Sequence, residues 1–448
     1  MKRISIILGA LALAAGGSAF YVTSSDSASV ATADNPEVSY LILGNGNKLK
    51  SSLVADIEAA GGTLTLEIQE IGVATAVSSN PAFAASLDAM PGYDAVVEDV
   101  VTQAINPLEI VELDAASVDN TGQSESFYGL QWGLQAIDAP TAWAGGLRGS
   151  GVRVAVLDSG IDADNPDLAP NLNTALSASF VPGEHWDIQP GRYFNHGTHV
   201  AGTIGAAENG LGVIGVAPDV ELVGVKVLSE YTGSGSGSGI MAGIVYAANI
   251  NADIINMSLG SYFPRSIYGA SASHYINAYS RATTYAYQRG VTIIASAGNS
   301  AIDMDHDADG VKLPADAAHV LSISATAPAG WAGDPSGSLD HPSSYTNYGQ
   351  SGVDFAAPGG DFSTYPAAGW HYDMVLSTGS GAWYFSAGTS MAAPHASGVA
   401  ALIIGANGGD MHPAHVAAAL AHSADDLGQP GNDDYYGGGR VNAGNLAP

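Results

Sequence analysis

The sequence predicts an α/β protein with a mostly parallel sheet covered by helices on both faces, preceded by a small α+β domain. Three observations predict it. From about residue 128, short apolar runs alternate with longer stretches at helical spacing. Those runs are apolar throughout rather than alternating with polar residues, as strands buried on both faces are. Residues 37–101 carry a separate β-α-β-β-α-β order, and a polar stretch without periodicity follows them. A length of 448 residues accommodates more than one such unit.

The elements follow in order. Residues 1–19 have a basic start (Lys2, Arg3), an apolar stretch from Ile4 to Ala15 and then G-G-S-A. This is the pattern of a secretory signal cleaved near Ala19, so the expectation is a secreted, extracellular protein. The apolar run is short for a membrane span, and no other segment is long and apolar enough. No stable membrane association is expected, although a retained N-terminal anchor is the competing reading. Residues 20–36 are small and polar and read as a linker. In 37–101, strands are expected at 38–43, 63–71, 73–78 and 95–101. Helices are expected at 49–60, stopped by Gly61-Gly62, and at 81–90. Residues 102–127, with S-V-D-N-T-G-Q-S-E-S, read as an exposed processing linker. In the main domain, 128–448, strands are expected at 152–157, 221–228, 254–257, 292–296 and 320–325. Its helices are expected at 198–207, 239–249, 276–289, 390–405 and 413–423.

Composition narrows the function. There are 43 acidic and 13 basic residues, a net charge of −30. Phosphate binding needs basic surface, so nucleic acid is excluded as a partner. An acidic surface of this kind stays soluble at high salt, where self-repulsion is screened. No cysteine is present, so no disulfide forms. A monomer is expected.

The chemistry is concentrated in residues 386–396, S-A-G-T-S-M-A-A-P-H-A. Ser390 stands at the head of an apolar helix, beside unpaired N–H groups and the positive end of the helix dipole. Negative charge developing there is stabilised, which suits a nucleophile; a plain helix cap is the alternative. A nucleophilic serine needs a base, and the base needs an orienting carboxylate. Asp158 ends the buried strand V-R-V-A-V-L-D, and His196 opens H-G-T-H-V-A-G-T. Asp158 alone could be a turn residue, and His196 with His199 could be a metal pair, although no H-E-x-x-H accompanies them.

Four blocks then carry a resemblance: D-S-G-I-D at 158–162, H-G-T-H-V-A-G-T at 196–203, S-A-G-N-S at 296–300 and G-T-S-M-A-A-P-H at 388–395. In this order and spacing the chain resembles the subtilisin family of serine endopeptidases over roughly residues 128–445. The resemblance implies the subtilisin-like three-layer fold, a triad of Asp158, His196 and Ser390, and Asn299 as a side-chain donor to the oxyanion. It implies that 37–101 is a ferredoxin-like propeptide, a folding chaperone and intramolecular inhibitor removed by autocatalysis between Asn106 and Phe127. Extended polypeptide substrates would add as a strand between two segments. Ser258, Leu259 and Gly260 form one, and Gly233, Ser234 and Gly235 in the Gly/Ser run form the other. The pocket for the P1 residue would lie between 258–260 and Ser296, Ala297 and Gly298. Small residues on both walls imply broad specificity with a large apolar P1 side chain. An ungapped alignment at L-P-A puts Lys312 near the pocket base. Two other readings keep the same blocks: a narrow-specificity protease that processes one precursor, and a catalytically silent binding protein.

Structural Ca2+ is also implied. Asp167 matches the family carboxylate of the strong site. Ala207, Leu211 and Val213 would give carbonyls and Asn209 a side-chain oxygen, the hard ligands calcium takes. The family's N-terminal glutamine ligand has no aligned match, since Tyr128 stands there, although Gln131 is near. Asp303, Asp305, Asp307 and Asp309 repel one another without a cation, so a second ion is expected among them.

Overall fold

The computed structural model describes residues 36–103, 111–112, 125–189, 195–307 and 309–446. The signal segment 1–19, nearly all of the 20–36 linker and most of the 102–127 processing linker lie outside them.

The N-terminal unit is a four-stranded antiparallel sheet in the order Thr63–Ile68, Val73–Ser78, Val38–Gly44, Tyr93–Glu98, with helices Leu53–Ala59 and Phe83–Asp88. Alternation along a strand sends successive side chains to opposite faces. Tyr40, Ile42, Ala74 and Ala76 therefore pack with Leu53, Ile57, Phe83 and Leu87 in a core of the unit's own. Leu41, Leu43 and Val73, from the other face, join the core of the main domain. This sheet is thus covered on one side by its own helices and on the other by the main domain.

The main sheet runs His341–Pro342, Val320–Ala327, Thr292–Ser296, Ile254–Met257, Arg153–Asp158, Glu221–Lys226, Ala178–Ser179, and Phe355–Pro358 pairs with Val320–Ala327. Every pairing is parallel except that of His341–Pro342. Period-two alternation again divides the strands. Val154 and Val156 face the layer containing helices His196–Gly205 and Thr389–Ala406. Ala155 and Leu157 face the layer of Gly237–Asn249 and Ser271–Gln288. This is the three-layer arrangement the apolar runs predict. Thr389–Ala406 is long and apolar enough to cross a membrane but is 83% buried as the central helix.

Two expectations change. The last strand of the small domain ends at Glu98, not residue 101. Val101–Gln103 forms its own strand, paired antiparallel with Ser234–Ser236 of the Gly/Ser run. Two antiparallel ribbons also escaped the sequence reading: Ser261–Pro264 with Gly310–Leu313, and Val375–Gly379 with Ala382–Ser386.

Candidate active site

Asp158 closes strand Arg153–Asp158 and His196 opens helix His196–Gly205. The helix start fits tightly against the strand end. A Cβ on Gly197 would stand 2.3 Å from the Gly160 carbonyl and 3.0 Å from Asp158 Cβ, so only glycine fits there. Both Asp158 carboxylate oxygens lie 2.9 Å from His196 Nδ1. Oδ1 also accepts the Ser159 N–H at 2.7 Å. Such a contact fixes the proton on Nδ1 and leaves Nε2 as the basic nitrogen.

Ser390 sits in the first turn of Thr389–Ala406 and is 9% exposed. Its hydroxyl donates to the Ser258 carbonyl at 3.1 Å, and the Ser258 hydroxyl donates back to the Ser390 carbonyl at 2.7 Å. Asn299 is fixed through its amide oxygen, which accepts the Thr389 N–H at 2.9 Å and the Thr389 hydroxyl at 2.7 Å. Its amide nitrogen turns toward Gly388. A Cβ on Gly388 would lie 3.4 Å from Asn299 Nδ2 and 3.6 Å from the Ser390 nitrogen. Two donors thus converge on a space beside Ser390 that glycine leaves open, an arrangement able to stabilise an oxyanion.

His199 belongs to the packing. It is buried, its Nε2 lies 3.1 Å from the carbonyls of Val375 and Tyr384, and burial pushes its pKa down to about 3. The reading of His196 and His199 as a metal pair therefore fails.

Ser258, Leu259 and Gly260 follow strand Ile254–Met257 and are buried. Ser296 ends strand Thr292–Ser296, and the Gly298 N–H donates to the Thr389 hydroxyl at 3.1 Å. Both walls are therefore bonded to the turn that carries Ser390. Across the groove, Gly233 precedes strand Ser234–Ser236, whose edge is paired residue by residue: Ser234 with Gln103, Gly235 with Thr102, Ser236 with Val101.

Asp167 is fully buried. Its Oδ2 accepts the Val213 N–H at 3.0 Å and the Trp383 indole N–H at 2.8 Å, while its Oδ1 has no hydrogen-bond partner. Asn209 donates to the Pro166 carbonyl beside Asp167 at 3.0 Å and accepts the Leu211 N–H of its own loop at 2.9 Å. Glu125, which the sequence reading missed, is 1% exposed. One of its oxygens accepts the Gly210 N–H at 3.0 Å and the other is unpartnered. Burial raises the pKa of both carboxyls, and the Asp167 charge adds to the effect at Glu125. Two buried carboxylates with orphaned oxygens beside the 207–213 loop fit a cation.

The expected second cation site is not gathered. Asp303 accepts the N–H groups of Asp305 and His306 and meets the His306 ring at 3.0 Å. Asp305 turns to Gln350 and Ser351, and Asp309 to Ser266. Asp307 is exposed. Backbone donors relieve part of the repulsion, and no group of three acidic or histidine side chains able to hold a metal occurs among the described residues.

Lys226, also missed, is fully buried beside Asp158 in the sheet. Its ammonium donates to the Ser159 carbonyl and pairs with Glu184 at 3.1 Å. Burial lowers its pKa and Glu184 opposes that. A charged residue closing an otherwise apolar strand, V-G-V-K, was the available signal.

A parallel sheet between helical layers, with a serine at the head of its central helix, defines the class as an α/β serine protease. Residues 149–439 match the model of the subtilase family, and the chain belongs to that family. It is 36% identical to M-protease of Shouchella clausii over 422 residues, 93% of either chain. It is 38% identical to Subtilisin Savinase of Lederbergia lenta over 316 residues, 70% of this chain and 97% of that one. Among solved structures, the epidermin leader peptide processing serine protease of Staphylococcus aureus superposes with a TM-score of 0.75 at 22% identity. That match covers 92% of this chain and 98% of that one.

Proposed function

We propose that this chain is a secreted serine endopeptidase made as a preproenzyme. Ser390 attacks the scissile carbonyl, and His196 takes its proton and returns it to the leaving amine. Asp158 holds the imidazole and stabilises its charged form. The acyl-enzyme is then released by water activated by the same histidine. For attack, the Ser390 hydroxyl hydrogen leaves the Ser258 carbonyl, which a rotation about the C–O bond accomplishes. Asn299 Nδ2 and the Ser390 N–H receive the oxyanion.

The observation that carries this reading is the antiparallel pairing of Val101–Gln103 with Ser234–Ser236. A segment just beyond the small domain already occupies one edge of the groove as an added strand, the mode expected of an extended substrate. It supports residues 37–101 as an intramolecular inhibitor, and the apolar face given to the main domain supports the chaperone role. Glu125, as a calcium ligand, stays with the mature enzyme, so the processing bond lies between Asn106 and Glu125. Calcium would be held by Asp167, Glu125 and the oxygens of Ala207, Asn209, Leu211 and Val213. When bound it neutralises two buried carboxylates and fastens the mature N-terminal segment to the domain. Lys312 reaches between the pocket walls, which argues against broad specificity for a large apolar P1 residue.

The test is the precursor with Ser390→Ala, expressed without other proteases. It should accumulate uncleaved and without peptidase activity. Normal processing of that variant would refute autocatalysis.

A further inference from the structure

Both walls of the P1 pocket touch one side chain. A Cβ on Gly260 would stand 3.0 Å from Lys312 Cε and 3.1 Å from its Nζ. A Cβ on Gly298 would stand 3.1 Å from the same Cε. The end of Lys312 therefore lies in the gap between 258–260 and 296–298, the gap that opens beside Ser390. The local sheet fixes it there. Strand Gly310–Leu313 pairs with Ser261–Pro264, the direct continuation of the 258–260 wall, with Lys312 opposite Tyr262. The ammonium has no ion-pair partner among the described residues. The nearby carboxylate of Asp316 instead accepts the Lys312 backbone N–H at 2.7 Å. An ammonium held between glycine walls, only partly exposed and without an ion-pair partner, favours an anion that can enter the gap.

We propose that Lys312 sets the primary specificity of this site, selecting polypeptide substrates with a carboxylate side chain at P1. The long stem narrows the pocket that two small-residue walls would otherwise leave broad, and its charged end rewards glutamate or aspartate over neutral isosteres. This rests on the endopeptidase reading of the site.

Burial brings the Lys312 ammonium down to about 8, with Asp316 acting in the opposite direction. Asp316 is the charged group facing it. Tyr262 faces it from the paired strand, the two walls carry no ionisable side chain, and Arg281 of the helix behind is committed to Asp94 at 2.7 Å. Preference for an acidic P1 residue should thus be full between about pH 5, above which the substrate carboxylate is ionised, and about pH 7, and fade as pH rises through 8.

The experiment uses the mature enzyme and peptides identical except for glutamate, glutamine or phenylalanine at P1. The expected kcat/KM ratio of glutamate to glutamine is roughly tenfold or more, the size of a hydrogen bond to a charged group. In Lys312→Met it should fall to about one. The ratio in the unaltered enzyme should also decline between about pH 7 and pH 10, which tests the proposal even if the variant does not fold. No cleavage of any peptide by the mature enzyme counts against the endopeptidase reading. Cleavage with a ratio of one or below, or a ratio unmoved by Lys312→Met, overturns the specificity proposal alone.

Discussion

At the scale of single residues, the site divides into groups legible in the sequence and groups that only tertiary structure reveals. Asp158, His196, Ser390 and Asn299 stand in short blocks whose spacing is constrained by chemistry. Gly197 and Gly388 in those blocks have a physical reason, one for close packing and the other for an open oxyanion space. Glu125 had no such signal. It lies in a segment without periodicity, brought to the 207–213 loop by contacts such as the Phe127 N–H to the Gly212 carbonyl at 2.7 Å. The aspartates at 303–309 misled for the opposite reason. Their closeness in sequence suggested one ion, but the carboxylates of Asp303, Asp305 and Asp309 find donors in different directions and Asp307 is exposed. One residue-scale prediction concerns Asn299. Replacement by alanine should lower kcat by about 10²–10³ with little change in KM, the order known for losing this donor within the same family. A large KM effect with kcat unchanged would make Asn299 a binding residue instead.

At the scale of elements, apolar runs were enough to place the central strands, because strands buried on both faces leave little freedom of composition. The short ribbons Ser261–Pro264/Gly310–Leu313 and Val375–Gly379/Ala382–Ser386 lacked that signature, since their pairing is set by what they pack against. On the proposed calcium reading, the 207–213 loop and the segment opening at Glu125 are the pair of elements that an ion would fasten together. Glu125 and Asp167, beside that loop, each keep a buried carboxylate oxygen without a partner, and a cation bound only by the folded state would stabilise it by mass action. Chelator should therefore lower the melting temperature of the mature enzyme. Glu125→Gln and Asp167→Asn should each blunt that response, and Asp305→Ala should leave it intact. Melting curves with and without chelator check this; an equal response in all four proteins would remove calcium from the 207–213 loop.

At the scale of the whole molecule, the chain is a catalytic domain with a second domain seated on it. Arg281 reaches from helix Ser271–Gln288 to Asp94 and the Gly44 carbonyl, and Tyr275 donates to the Glu98 carbonyl at 2.6 Å. Asp99 accepts the Ser238 N–H at 3.1 Å at the start of helix Gly237–Asn249 and also takes the Ser238 hydroxyl. The separate β-α-β-β-α-β unit was legible from its own periodicity. The docking was not, because Leu41 and Leu43 read only as ordinary strand residues until the second face of their sheet is seen to be covered. Asp99→Ala should weaken the isolated small domain as an inhibitor by roughly fivefold, the cost of about 1 kcal/mol for a lost helix cap. Burial raises the Asp99 pKa when docked, and the Ser238 hydrogen bonds oppose it. The docked state thus binds a proton more readily than the free one, so inhibition should weaken as pH rises above about 4, the ordinary aspartate range. Asp99→Asn should flatten that dependence, as inhibition constants across pH would establish. The claim on which all of this rests is that Ser390 is an activated nucleophile. A fluorophosphonate probe on the mature protein, followed by peptide mapping, tests it most directly. A single adduct on Ser390 is expected, absent in Ser390→Ala and strongly slowed in His196→Ala; an unlabelled protein, or an adduct on another residue, would mean that Ser390 is not the nucleophile.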